Sequence, residues 1–119
     1  MSELLHFHEV WGYVAIVANA IAGVIALAAW RWRKARGKYV WVVTIIAEGA
    51  LVLQVLVGTI LEVSKDYVAP RIHMFYGFVA FLTVGIAYQY RRQMRGRREM
   101  LYGLVGLFLM GLGIRAVLT

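Results

Sequence analysis

The chemistry open to this chain starts from its three histidines, His6, His8 and His73. Two of them open the same short element, a histidine followed four residues later by a glycine: His8-Glu9-Val10-Trp11-Gly12 and His73-Met74-Phe75-Tyr76-Gly77. Neutral imidazole is a ligand for transition metals and for haem iron. Two helices that each donate one imidazole into a bundle can hold a b-type haem, with Gly12 and Gly77 admitting the porphyrin. The plainer role is an interfacial imidazole satisfied by water or by a carbonyl. A third reading is a divalent-metal site built from His6, His8 and His73, with Glu9, Glu62 and Asp66 at the same end of the chain's spans. His-x-His sends its two rings to different faces of a helix, so such a site suits a frayed end.

Glu48 raises a separate question. It lies about nine residues into a long apolar run, where a carboxylate costs on the order of 2.5–3.5 kcal/mol on insertion scales. It is expected to stay neutral beside a partner such as Asn19, Gln54 or a carbonyl, or to serve as a proton-relay or partner-binding group. Thr59 and Glu62 follow on the same helical face. Glu62 and Arg115 are further candidates, for an ion pair between two helix ends or for independent snorkelling to water.

These residues need elements to hold them, and composition says which. The chain has 119 residues, 62% apolar and 16% charged, with one proline; a soluble domain is nearer 45–50% apolar and about 25% charged. Four runs, 9–30, 39–62, 71–91 and 100–118, approach the roughly 20 apolar residues that cross a bilayer. Lipid obliges each backbone to pair within its own segment, so each run is expected to be a helix. The fold class is therefore an all-α integral membrane protein, a single four-helix domain over 1–119. The absence of cysteine excludes disulfides and thiolate sites. The start, MSELLHFHEV, has no basic residue ahead of its apolar run, which suits a retained helix better than a secretory signal.

Charge gives the orientation. The net charge is +7, and ten of the thirteen lysines and arginines fall in two clusters, 31–38 and 91–98. Because the basic residues sit in turns and form no continuous face, nucleic acid is not expected as a partner. The positive-inside rule puts both clusters in the cytoplasm and both termini outside, in what is expected to be a bacterial inner membrane. The same clusters would attract anionic lipid headgroups. Aromatic residues at the run ends, among them Trp11, Trp30, Trp41, Tyr88 and Tyr102, are expected to anchor at the interfaces.

Residues 8–62 and 73–115 repeat one hairpin plan. Each starts with His-x-x-x-Gly and reaches an aromatic-x-aromatic-basic-basic turn, WRWRK at 30–34 and YQYRR at 88–92, followed by RGK at 36–38 or RGR at 95–97. A parallel repeat of this kind implies a compact bundle related by an axis along the membrane normal. Small residues, Ala18, Ala22, Ala26 and Ala29 in the first run and Gly103, Gly106, Gly111 and Gly113 in the last, are expected to let helices approach closely.

On its two His-x-x-x-Gly elements and the hairpin plan, the chain resembles the bis-histidine membrane cytochromes of the cytochrome b561 type. The resemblance implies haem b and one-electron transfer, with His8 and His73 as axial ligands. Three histidines allow at most one such haem. Counted from the arginine turns, His8 is 22 residues before Trp30 and His73 is 15 before Tyr88. At about 1.5 Å per residue, straight parallel helices would set the two rings roughly 10 Å apart in depth.

The leading functional expectation is a small non-catalytic membrane subunit or assembly partner of a larger bioenergetic complex, or a self-associating one. No nucleophile or phosphate-loop pattern appears, and little chain lies outside the bilayer to bind a polar substrate. The alternatives are the haem electron carrier and a small proton or ion carrier working through Glu48.

Overall fold

The computed structural model describes residues 2–63 and 70–118, and they form four helices: α1 (Ser2–Arg31), α2 (Lys38–Val63), α3 (Arg71–Tyr90) and α4 (Arg98–Leu118). Asp66 and most of the α2–α3 connection lie outside the described residues. No strand occurs among the described residues. All four helices are long and apolar enough to cross a membrane. α1 begins seven residues earlier than its apolar run, so His6 and His8 both sit on regular helix and face different ways.

The helices pack in the order α2, α1, α4, α3. α1 makes its largest contacts with α4 and α2, and α3 leans on α4 with a smaller contact to α2. α1 and α3 form the diagonal, with no neighbouring backbone contact. The interior is built mainly from small side chains: Ala15, Ala22, Ala26, Ala29, Ala47, Ala50, Ala80 and Ala87 are buried, with Val40, Leu51, Leu61 and Leu109 as the larger core residues. Large apolar side chains such as Val17, Ile21, Ile45, Ile46, Phe78 and Phe108 point outward. An apolar surface this continuous is what a lipid-facing bundle presents.

The α1–α4 crossing is the closest approach. A side chain on Gly106 would meet the Gly23 Cα at 2.8 Å and the Asn19 carbonyl at 2.9 Å, and one on Gly23 would meet the Gly103 carbonyl at 2.9 Å. Gly103 lies against Leu27, and Gly113 against Ile16. Gly106 and Gly113 thus share a face, as their spacing predicts, but their partner stripe is Ile16, Asn19, Gly23 and Leu27. Of the alanine stripe, Ala22, Ala26 and Ala29 are buried and Ala18 is only half-buried.

Arginines finish the helices at one end of the bundle. Arg36 donates through Nε to the Ala29 carbonyl (2.7 Å) and through Nη2 to the Trp30 carbonyl (3.0 Å). Arg98 donates through Nε to the Arg91 carbonyl (2.9 Å), and Arg91 through Nη1 to the Tyr88 carbonyl (2.7 Å). These bonds satisfy carbonyls that a helix C-terminus leaves without partners. The two turns are not copies. The first contains a 3-10 turn, Arg33–Ala35, and the second places Gly96 at φ +83°, a left-handed position suited to glycine. Arg95, which the repeat aligns with Arg36, makes no such bond; Arg98 does that work instead.

Two expected interfacial aromatics pack inside. Trp11 donates its indole N–H to the Ala50 carbonyl (2.8 Å) and stacks on Phe7. Tyr102 is buried and holds Trp41 edge to face, with ring centroids 5.8 Å apart. Their role is to join α1 to α2 and α2 to α4. By contrast Trp30, Trp32, Tyr88 and Tyr90 are exposed at the arginine end, where lipid headgroups would meet them.

Candidate functional site

A cleft of about 610 Å³ opens at the end of the bundle opposite the arginine turns. That volume falls within the roughly 300–1,000 Å³ typical of ligand and cofactor pockets. It exists because α2 and α3 barely touch, so the ring of four helices is incomplete on one side. Its lining is largely apolar, and each helix contributes one glycine: Gly12, Gly58, Gly77 and Gly113.

His8 from α1 and His73 from α3 both line this cleft, with ring centroids 6.2 Å apart and planes at 72°. The depth difference of some 10 Å expected from the residue count therefore does not separate the rings. α1 is 30 residues long and α3 only 20, so Trp30 and Tyr88 do not mark a common depth. The surplus length of α1 falls elsewhere than between the histidines.

The two rings are held differently. His73 donates from Nδ1 to the Ala116 carbonyl on α4 (2.9 Å); a carbonyl can only accept, so Nδ1 carries a proton, and in the neutral ring the lone pair is then on Nε2. The His8 ring rests against Gly58 of α2, where an added Cβ would lie 2.9 Å from its Cε1. Nδ1 of His8 is buried and has no hydrogen-bond partner. The backbone of His8 is tied to α2 by Gln54, whose Nε2 donates to its carbonyl (2.6 Å). Gly12 makes this possible, because a Cβ there would sit 3.0 Å from the same Nε2. Gly77 is the glycine that leaves space, with nothing within 4 Å of a Cβ at that position.

Two nitrogens bound to one metal at about 2 Å each, with half an imidazole ring at either end, need centroids about 6 Å apart. The observed 6.2 Å meets this. His73 has its Nδ1 proton tied to a backbone carbonyl, the usual arrangement for a ligating imidazole. On half-buried His8 it is Nδ1 that is enclosed without a hydrogen-bond partner, which a native structure rarely leaves without reason. The ring spacing is the one two imidazoles on a single iron would require.

Other expected sites are not brought together. His6 is exposed on the opposite side of α1 from His8, and no group of three or more His, Asp or Glu among the described residues could share a metal ion. Glu48 is half-buried and does not line the cleft, although Thr59 and Glu62 do. Neither suggested partner bonds to it: Asn19 donates to the Ala15 and Ala47 carbonyls (2.8 and 3.1 Å), and Gln54 to His8. Arg115 is exposed at the end of α4, and Glu62 lines the cleft from α2.

Sequence reasoning missed Gly58 and the Ala116 carbonyl as supports of the two rings. The repeat held a signal for the first, since Gly58 opens the GTILE segment overlaid on GLGIR. Nothing in the sequence marks the second, because a backbone acceptor has no residue type. Comparison with protein-family models, with curated proteins and with solved structures finds no match in any of the three.

Proposed function

We propose that this chain is a small membrane-embedded haem b protein that passes single electrons, with His8 and His73 as its axial ligands. The observation that carries this reading is the meeting of two imidazoles, 6.2 Å apart, inside an apolar cleft. Haem b would supply reversible one-electron exchange at its iron. The chain's own residues do the rest. The Ala116 carbonyl orients the His73 ring and holds a proton on Nδ1, so that Nε2 is the nitrogen turned to the ligand; Gln54 and Gly58 hold the His8 backbone and ring against α2; the apolar lining excludes water. The setting proposed is a bacterial cytoplasmic membrane, with the arginine turns in the cytosol and both termini on the far side.

The test is an absorption spectrum of the purified protein, oxidised and then reduced. The expected result is a Soret band that shifts on reduction and is lost in His73→Ala. A folded, helical wild-type protein, purified from haem-replete cells without any such band, would contradict the proposal.

The accessory-subunit reading also has an observation in its favour. α3 is the least enclosed helix, and Phe75, Phe78, Leu82 and Ile86 leave its outer side exposed. A larger membrane complex that covered this side would make the chain one subunit among others, with or without haem. Co-purification after mild detergent extraction tests it, and recovery of the chain alone would count against it. No comparable geometry favours the Glu48 carrier.

A further inference from the structure

A second cavity, of about 520 Å³, lies at the arginine end, between the two turns. It is lined by Arg36 from the first turn, by Arg95, Gly96, Arg98 and Glu99 from the second turn and the start of α4, and by Trp41 of α2. Nothing in the haem proposal uses it.

The three arginines are not equivalent. Arg36 and Arg98 are each anchored by bonds to helix-terminal carbonyls, Ala29 and Trp30 for the one and Arg91 for the other. Anchoring fixes where each guanidinium stands, and leaves Nη1 of Arg36 and both Nη groups of Arg98 as donors. Arg95 makes no hydrogen bond or ion pair with any described residue. Glu99 lines the cavity but forms no ion pair with these arginines, so the lining keeps two positive charges in excess. The indole of Trp41 is fixed edge to face on Tyr102 and supplies an apolar wall.

Pre-positioned guanidinium groups from two separate loops are suited to phosphate oxygens, which they bind through short charge-assisted bonds. A basic pocket between helices at the headgroup level is where lipid phosphates dock on membrane proteins. We propose that this cavity is a specific site for phosphate groups carrying two negative charges in all, Arg36, Arg95 and Arg98 being their donors. The ligand class that matches both the excess charge and the adjoining apolar wall is a phospholipid headgroup with two phosphodiesters. A soluble phosphate dianion shares the same chemistry. By bridging the two turns, the ligand would lock hairpin α1–α2 to hairpin α3–α4 at the end remote from the histidines.

The site is tested by native mass spectrometry of the detergent-solubilised protein. It is offered in turn phosphatidylglycerol, diphosphatidylglycerol and inorganic phosphate. Wild-type protein is expected to retain one diphosphatidylglycerol per chain in preference to phosphatidylglycerol. Arg95→Gln is expected to weaken retention about tenfold, the scale of one lost charge-assisted contact. Because Arg95 holds no other part of the chain, its removal leaves the fold intact. Arg33→Gln, in the first turn but outside the cavity, is the control for charge alone and is expected to retain lipid as the wild type does. Saturable inorganic phosphate binding, lost in Arg95→Gln and kept in Arg33→Gln, would sustain the site and make its ligand the soluble anion. Equal loss in both variants, or retention unchanged in Arg95→Gln, would overturn it.

Discussion

At the scale of single residues, the cleft separates groups packed against the fold from groups that leave space open. Gln54, Gly12 and Gly58 belong to the first kind, since each is fitted against His8 or its backbone. Gly77 belongs to the second, because a Cβ there touches nothing in the protein. Gly77→Ala is therefore expected to leave the thermal midpoint of the haem-free protein unchanged. It should weaken haem uptake by about 1–3 kcal/mol, the usual cost of overpacking a filled site. A parallel melt and haem titration distinguishes the two effects. Gly58→Ala acts from the other side: the His8 ring must move, and haem uptake is expected to fall while far-UV helicity is kept. Asn19, buried and bonded to carbonyls on α1 and α2, is a structural residue. Asn19→Ala is expected to cost roughly 0.6–2 kcal/mol in a detergent unfolding titration, the range for a polar contact between membrane helices.

At the scale of elements, the α1–α4 pair anchors the bundle through backbone approach. Gly106→Ala drives a methyl into the Gly23 Cα and the Asn19 carbonyl, neither of which can turn aside. It is expected to destabilise the bundle by about 1–3 kcal/mol. Gly111→Ala, on the same helix with open space around it, is expected to be nearly silent in the same measurement. Much of this level was legible beforehand. Runs of apolar residues gave the number and course of the helices, because lipid leaves the backbone no other option, and the seven-residue spacing gave the shared face of Gly106 and Gly113. The partner stripe on α1 was hidden. It includes Ile16 and Leu27, large residues that reach glycines opposite, so the small-residue pattern sits on one helix instead of both. Trp11 and Tyr102 depart from the expected interfacial placement for a related reason: an aromatic near a run end suits either an interface or a helix contact, and only the Ala50 carbonyl and the Trp41 ring decide between them. His8 and His73 meet despite their unequal distances from the arginine turns because the helices are neither equal nor in register: α1 outruns α3 by half the length of α3.

At the scale of the whole molecule, the two ends have different chemistry: imidazoles and an apolar cleft at one, arginines and a polar cavity at the other. If the bundle crosses a membrane, both turns must face one side and the start of α1 the other. The chain has no native cysteine, so single-cysteine variants report without background. Lys34→Cys and Gln93→Cys are expected to react with an impermeant thiol reagent only after the cytosolic side is exposed, and Glu3→Cys from the opposite side. The central claim, however, is that His8 and His73 together hold one haem, and stoichiometric uptake tests it most directly. Protein purified from haem-depleted cells is titrated with haem while the Soret absorbance is followed. The expected result is saturation at one haem per chain, with neither His8→Ala nor His73→Ala reproducing the spectrum of the wild type. Uptake that never saturates, or that is the same in the wild type and in both variants, would contradict it.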